Sequence, residues 1–305
     1  MRALAAYIMR GPVQAVLVTA ALALVSLIPV LGMVSVLSGA AVALVTLRHG
    51  ARQGLLVLLG ASLLAGIFMY FVFGTMVLGL MFALLLWLPL LCLALVLRSS
   101  GSWSMVLDAA VALGITGITV FYLLVGDPLQ FWQMALEKML ELMSSQGGMA
   151  EMGQIQQQIP VIAEWMTGML TAALVMGLVL SMMLARWWQS LLFNPEGFQQ
   201  EFYSLRQSKI ATLTVLVILL FSLFDLGVIS NLAGDIMITV VVVYSIVGLA
   251  LTHALVARLG KHKAWLVGIY VLIFIMPPHM MLALASAGFA DSWLDFRRRL
   301  PVAKQ

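Results

Sequence analysis

The sequence predicts an all-α fold: a polytopic integral membrane helical bundle of about eight or nine transmembrane helices. Three observations predict it. Charged residues make up 9% of the 305-residue chain and hydrophobic residues 63%, whereas a soluble domain is about a quarter charged. Mean hydropathy is +1.11. The few charges fall in short breaks between long apolar runs, with Lys/Arg and Asp/Glu favouring different breaks. That segregation marks a chain threaded through a bilayer with a readable orientation.

The first run, 12–29, begins at Pro12, which suits a first helical turn. With Arg2 and Arg10 ahead of it, the run resembles a signal peptide. A second apolar run follows with no polar mature region between, so it reads as an uncleaved first helix. Runs 31–47, 54–73, 75–97 and 103–125 follow, punctuated by Arg48–Arg52, Gly74 and Arg98, and closed by Gly126-Asp127-Pro128. Each is near the ~20 residues that cross the hydrocarbon. An external loop over 127–159 comes next. Its first half is amphipathic, with Leu129, Trp132, Leu136, Met139, Leu140 and Met143 on one helical face. Its second half, 145–158, is Gly- and Gln-rich and reads as mobile. The sixth run, 160–185, closes on Arg186-Trp187-Trp188, read as an interfacial anchor. A cytoplasmic loop over 189–209 carries Asn194-Pro195 and a short amphipathic piece (Phe198, Phe202, Leu205). Runs 210–229 and 233–257 lead to a basic turn and to a last run, 265–289, broken by Pro277-Pro278. A C-terminal basic tail occupies 291–305. The whole chain reads as one membrane domain, 1–305.

With the N-terminus inside, Arg2, Arg10, Arg48, Arg52, Arg98, Arg186, Arg206, Lys209, Arg258, Lys261 and Lys263 face the cytoplasm, eleven of the 16 basic residues. Only Lys138 faces outward, among Asp127, Glu137, Glu141, Glu151 and Glu164. The positive-inside rule selects this threading. The last run leaves two readings open. A full crossing puts Arg297–Arg299 outside, and a re-entrant segment hinged at Pro277-Pro278 returns them to the cytoplasm.

Lipid offers helices no hydrophobic reward for association, so small residues that let backbones approach mark packing faces. Ala173, Gly177, Ser181 and Ala185 form such a ladder on the sixth run. Gly11, Ala15, Thr19 and Ala23 form another, and Ser35, Gly39 and Ala43 a third.

Polar residues at membrane depth are costly and point to function. Asp225 lies about a turn from the outer end of the seventh run. Asn231 and Asp235 follow across the turn, and Glu164 opens the sixth run. These four are the candidate ligand-binding residues. The alternative is that they mark the water boundary and cap helices. Asp108 reads as an ion-pair partner for Arg98, Arg48 or Arg52. His253 reads as interfacial, and His279 follows the Pro-Pro break, where freed carbonyls line cavities in other membrane proteins.

Enzymatic motifs are missing. The sequence has no phosphate-binding loop, HExxH or Gly-x-Ser-x-Gly. No cluster has metal-ligand spacing, the single Cys92 excludes an intrachain disulfide, and the basic residues are too dispersed for nucleic acid. No catalytic residue, metal or cofactor is expected.

Several segments together resemble the YybS-like family of bacterial multipass membrane proteins. They are Leu47-Arg48-His49-Gly50-Ala51-Arg52-Gln53-Gly54-Leu55-Leu56; Asn194-Pro195 with Phe198, Phe202, Leu205 and Arg206; Gly248-Leu249-Ala250 with His253; and the terminal Ala290-Asp291-Ser292-Trp293-Leu294-Asp295-Phe296-Arg297-Arg298-Arg299. The resemblance implies a bacterial inner-membrane location. It also implies a distant similarity to the substrate-binding S-components of energy-coupling-factor transporters. Those have about six helices, a glycine-bearing turn before the third, and small-residue ladders that dock a transmembrane partner. The expected partners are the bilayer, a transmembrane partner protein or a second copy of the chain, and a small-molecule solute. Two functions are expected: a solute-binding component of transport type, or a non-transporting membrane scaffold or assembly factor.

Overall fold

The computed structural model describes residues 1–144, 152–224 and 226–299, and every regular element among them is helical. Six helices are long and apolar enough to cross a membrane: Pro29–His49, Ala51–Phe73, Gly79–Ser100, Trp103–Val125, Ile155–Phe193 and Val228–Arg258. Pro12–Val25, Lys209–Leu223 and Ala264–Ile275 are apolar but shorter.

In chain order the elements are α1 (Arg2–Ile8), α2 (Pro12–Val25), α3 (Ser35–His49) and α4 (Ala51–Phe73). Then come α5 (Val77–Met81), α6 (Leu88–Ser100), α7 (Trp103–Val125) and α8 (Pro128–Ser144). Next are α9 (Met152–Phe193), α10 (Gly197–Tyr203), α11 (Lys209–Leu223) and α12 (Val228–Arg258). Last are α13 (Ala264–Ile275), α14 (Pro277–Leu294) and α15 (Phe296–Arg299). A 3₁₀ turn, Pro29–Val34, leads into α3. A π-helical stretch, Phe82–Trp87, joins α5 to α6 just before Pro89. Pro89 has no N–H to return to the preceding turn, and a widened turn accommodates that loss.

Helix α3 is the centre of the N-terminal half, buried on every side from Ser38 to Leu47. The reason is residue size. A Cβ added at Gly39 would meet Ser181 Oγ of α9 at 2.9 Å. Ser38 Oγ donates to the Thr19 carbonyl at 2.8 Å and accepts the Trp87 Nε1–H at 3.1 Å, so its hydroxyl is satisfied away from water. The turn from α3 to α4 needs Gly50, whose φ is +89. Gly54 then lets Thr46 sit directly on α4. Arg98 donates to the Leu47 carbonyl at 2.6 Å, and Arg48 stacks on Phe193 at 4.3 Å. Arg98 therefore caps α3 and does not pair with Asp108, whose Oδ1 is buried without a hydrogen-bond partner. None of the expected Asp108 ion pairs forms among the described residues.

Helix α9 corrects two expectations. It runs 42 residues through Pro160, so 152–159 belongs to it and is not a mobile loop, while 145–151 lies outside the described residues. Contact with α8 compensates for the interrupted ladder, since Ile159 and Ala163 are buried there. The small-residue ladder on α9 is split. Ser181 and Ala185 are buried, but Ala173 is exposed and a Cβ at Gly177 would meet nothing. The buried side at that level is Val175, Leu178 and Val179, because α3 and α12 approach α9 there. Trp188 is fully buried and is no interfacial anchor.

Two clamps close this end of the molecule. Arg186 grips Glu201 of α10 (Nε–Oε2 2.9 Å), and Trp103 Nε1 donates to the same carboxylate at 2.9 Å. Burial alone would raise the Glu201 carboxyl, but these two donors bring it below the usual carboxylate range. Asn194 and Pro195 form the turn between α9 and α10, where Gly197 N–H donates to the Asn194 carbonyl at 3.1 Å.

The last run is not one straight helix. It breaks at Met276 into α13, ~18 Å long against ~30 Å of hydrocarbon, and α14. Helices α12 and α14 touch backbone to backbone: a Cβ at Gly248 would fall on the Leu284 carbonyl, and one at Gly288 would lie 2.6 Å from the Tyr244 carbonyl. Arg297 then donates to the Tyr203 and Leu205 carbonyls at 2.5 and 2.7 Å. Asp291, 1% exposed, pairs with Arg297 at 3.2 Å, and Arg206 bonds Asp295. Of the two readings of the last run, these contacts fit the re-entrant one, since His253 of α12 and Arg297 both meet the segment around α10. The tail sits beside α10, at the end carrying Arg98, Arg186 and Arg206. His253 of α12 bonds the Tyr270 hydroxyl of α13 at 2.9 Å, and His279 stands exposed in the first turn of α14.

Gly248→Ala is expected to cost about 3 kcal/mol, because backbone and not a flexible side chain blocks the added methyl. Gly177→Ala should change stability by no more than about 0.5 kcal/mol. Thermal denaturation of both variants in detergent checks this, and equal losses would contradict the packing described. Cysteines at Gln200 and Arg299, in a Cys92→Ser background, should label from the same membrane face, and one at Met139 from the other.

Candidate functional site: a carboxylate-lined cleft

The end of the bundle opposite those clamps is built differently. Glu164 and Arg186 both lie on α9, separated by about 33 Å of helix at 1.5 Å per residue. That is close to the hydrocarbon thickness. At the Glu164 end α7, α8, α9, α11 and α12 converge around a cleft of about 700 Å3.

Local sequence explains each wall. Gly126 ends α7, and Asp127 Oδ1 accepts the Gln130 N–H at 3.1 Å, capping α8. Helix α8 packs on α9, where Trp132 Nε1 donates to Thr167 Oγ1 at 2.9 Å, while Leu129, Met139 and Met143 of its expected apolar face are exposed. Trp132 also stacks with Phe121 of α7, ring centres 5.7 Å apart. Gly168 brings α9 and α12 together, since a Cβ there would lie 3.0 Å from the Asp235 Cα. Gly227, with φ +61, opens α12 earlier than the run 233–257 predicts. Asn231 and Asp235 therefore both lie on α12, one turn apart, and follow across the turn from α11 as the sequence predicts.

Asp235 is the anchored group. It is 5% exposed. Its Oδ2 accepts the Tyr122 hydroxyl at 2.7 Å, and its Oδ1 accepts the Gly168 N–H at 3.0 Å. Two donors from two neighbouring helices hold the carboxylate in one orientation at the wall. Glu164 lies within electrostatic reach of it. Glu164, Asn231 and Asp235 all line the cleft, so the structure brings together three of the four candidates. Asp225 lies outside the described residues, though its neighbour Phe224 lines the same cleft.

Sequence reasoning did not include Tyr122, Asp127, Trp165 or Thr167 in the site. Tyr122 stands one turn before Gly126-Asp127, and that adjacency to an end-of-span acid is the available signal. No group of three or more His, Cys, Asp or Glu among the described residues is placed to hold a metal ion. Among the family-motif residues, Arg48, Gly50, Gly54, Asn194, Pro195, Asp291 and Arg297 all lie away from the cleft, in turns and clamps at the other end.

Tyr122→Phe leaves Asp235 Oδ2 without its donor and is expected to cost about 1–3 kcal/mol. Thr167→Val removes the weaker, neutral bond to Trp132 and should cost about 1 kcal/mol. Thermal denaturation in detergent ranks the two. A harmless Tyr122→Phe would show that Asp235 is held by other groups.

No curated protein and no solved structure matches the chain. A family model described as predicted membrane protein (DUF2232) matches residues 16–292, from within α2 to within α14. It covers all six long apolar helices and every described wall of the cleft, and the chain belongs to this membrane-protein family.

Proposed function

We propose that the protein is a non-catalytic, solute-binding membrane component of transport type. The observation that carries this reading is the convergence of Glu164, Asn231 and Asp235, with Tyr122, on one cleft of about 700 Å3. That volume lies within the ~300–1,000 Å3 of small-molecule sites. Boundary residues that merely meet water would splay outward. Here Asp235 is buried and held by two donors.

The positive-inside rule supports the orientation. The end carrying Arg48, Arg98, Arg186, Arg206 and Arg297 is placed in the cytoplasm, which puts the N-terminus and the C-terminal tail inside. The cleft then opens to the outer face of a bacterial inner membrane, where a receptor for an imported solute belongs. The YybS-like resemblance and the distant similarity to energy-coupling-factor S-components fit this reading. So does the lack of a phosphate-binding loop, which leaves energising to a partner protein.

The test is a thermal-shift screen of the purified full chain across vitamins, nucleobases and amino acids, with Asp235→Asn beside it. At least one compound should raise the melting temperature of the wild type and lose most of that effect in Asp235→Asn. No stabiliser in any class would overturn solute binding and leave the scaffold reading.

A further inference from the structure

The walls of the cleft carry an unbalanced charge. Asp127, Glu164 and Asp235 come from the α7–α8 turn, α9 and α12, and among the described residues no Lys or Arg lines the space with them. Elsewhere in the described chain, Glu201 is gripped by Arg186 and Asp291 by Arg297 and Arg206, while half-buried Asp108 has no ion pair. Nothing comparable reaches Glu164 among the described residues. Asp235 is buried while Asp127 and Glu164 are exposed at the mouth, and gathering like charges around one space costs free energy that an opposite charge recovers. The one basic side chain on the described part of α8 is Lys138, and it does not line the cleft.

The remaining walls say what kind of positive charge fits. Trp165 and Tyr122 add aromatic rings, which attract cations over their faces. Asn231, Ser222 and Ser230 add neutral hydrogen-bonding groups able to orient a ligand. A bare metal ion fits poorly. Both oxygens of Asp235 already accept hydrogen bonds, and the space of about 700 Å3 far exceeds a coordination shell.

Resting on the solute-binding reading above, we infer that the cleft takes an organic cation, a small solute bearing an ammonium or guanidinium group, held between Glu164 and Asp235 against the Trp165 ring. Asp235 supplies a fixed charge at the wall, and Glu164, free of a protein partner among the described residues, supplies the countercharge the ligand meets directly. The anchored carboxylate sets position and the free one adapts to the ligand.

The experiment uses the purified full chain in a nonionic detergent at low ionic strength, followed by calorimetric titration. Choline, putrescine and agmatine are the cationic probes. Myo-inositol is the neutral probe, pantothenate the anionic one, and magnesium and calcium chloride the metal controls. At least one organic cation should bind. Its Kd should rise at least tenfold in Glu164→Gln and again as sodium chloride is raised from 20 to about 300 mM, because surface-accessible ion pairing is screened. Glu164→Gln is the informative variant because Glu164 supports no described hydrogen bond, so folding does not depend on it. Binding of inositol or pantothenate, unchanged in Glu164→Gln, would overturn the cation inference and leave solute binding intact. Binding of the divalent metals alone would overturn the organic-cation class. Silence from every probe, alongside a failed vitamin, nucleobase and amino-acid screen, would overturn both.

Discussion

The contact on which this architecture depends is the backbone-to-backbone crossing of α12 and α14 at Gly248 and Gly288. Between lipid-embedded helices there is no hydrophobic reward for association, so attraction comes from close van der Waals approach and from polar bonds across the contact. Two glycines remove the side chains that would hold the backbones apart. That fixes α14 along the C-terminal half of α12 and leaves the short α13 between them. Helix α12 is thereby tied to α14 at one end, while its other end meets α7, α9 and α11 around the cleft. One helix links the tail clamp to the candidate site. Displacing it at Gly248 would disturb both.

The two ends of the bundle handle charge in opposite ways. At the tail end three described acids have a cation, Glu201 with Arg186, Asp291 with Arg297 and Asp295 with Arg206, while Asp108 has none. Breaking a buried pair by removing one partner costs about 3–5 kcal/mol, because the other charge is left uncompensated. These pairs are structural fasteners, and their geometry shows it. Arg297 spends its other donors on the Tyr203 and Leu205 carbonyls, closing the loop before α11. At the cleft end the acids are anchored or free but not neutralised.

Sequence showed the bundle well and the site in part. Apolar run length and the positions of Arg48, Arg98, Arg186 and Arg258 suffice to place the long helices. Glu164, Asn231 and Asp235 were legible because a polar residue at the end of an apolar run stands out. Tyr122 was not, since a tyrosine near a span end reads as an interfacial belt residue until its hydroxyl is seen on Asp235. Periodicity also has a limit visible on α9. Spacing by four shows that Ala173, Gly177, Ser181 and Ala185 share a face, but not what that face meets along its length. Ser181 sits under Gly39 of α3, and Gly177, one turn earlier, meets nothing. Pro160 misled in the same local way: it looks like a helix start, and only contact with α8 lets α9 continue through it.

The segments carrying the family resemblance answer a different question from the cleft. Gly50 turns α3 into α4 with a backbone angle that side chains resist, and Gly54 admits Thr46. Asn194 and Pro195 turn α9 into α10, and Asp291 with Arg297 locks the tail. All are fold-closing residues at one end. The cleft at the far end is built from Tyr122, Glu164, Trp165, Asn231 and Asp235, none of which belongs to those segments. Those segments therefore bear on how the chain is folded, and the chemistry of the cleft is set by other residues. There, three carboxylates and three aromatic rings, with no Lys or Arg among the described lining residues, are chemistry that favours a positively charged guest.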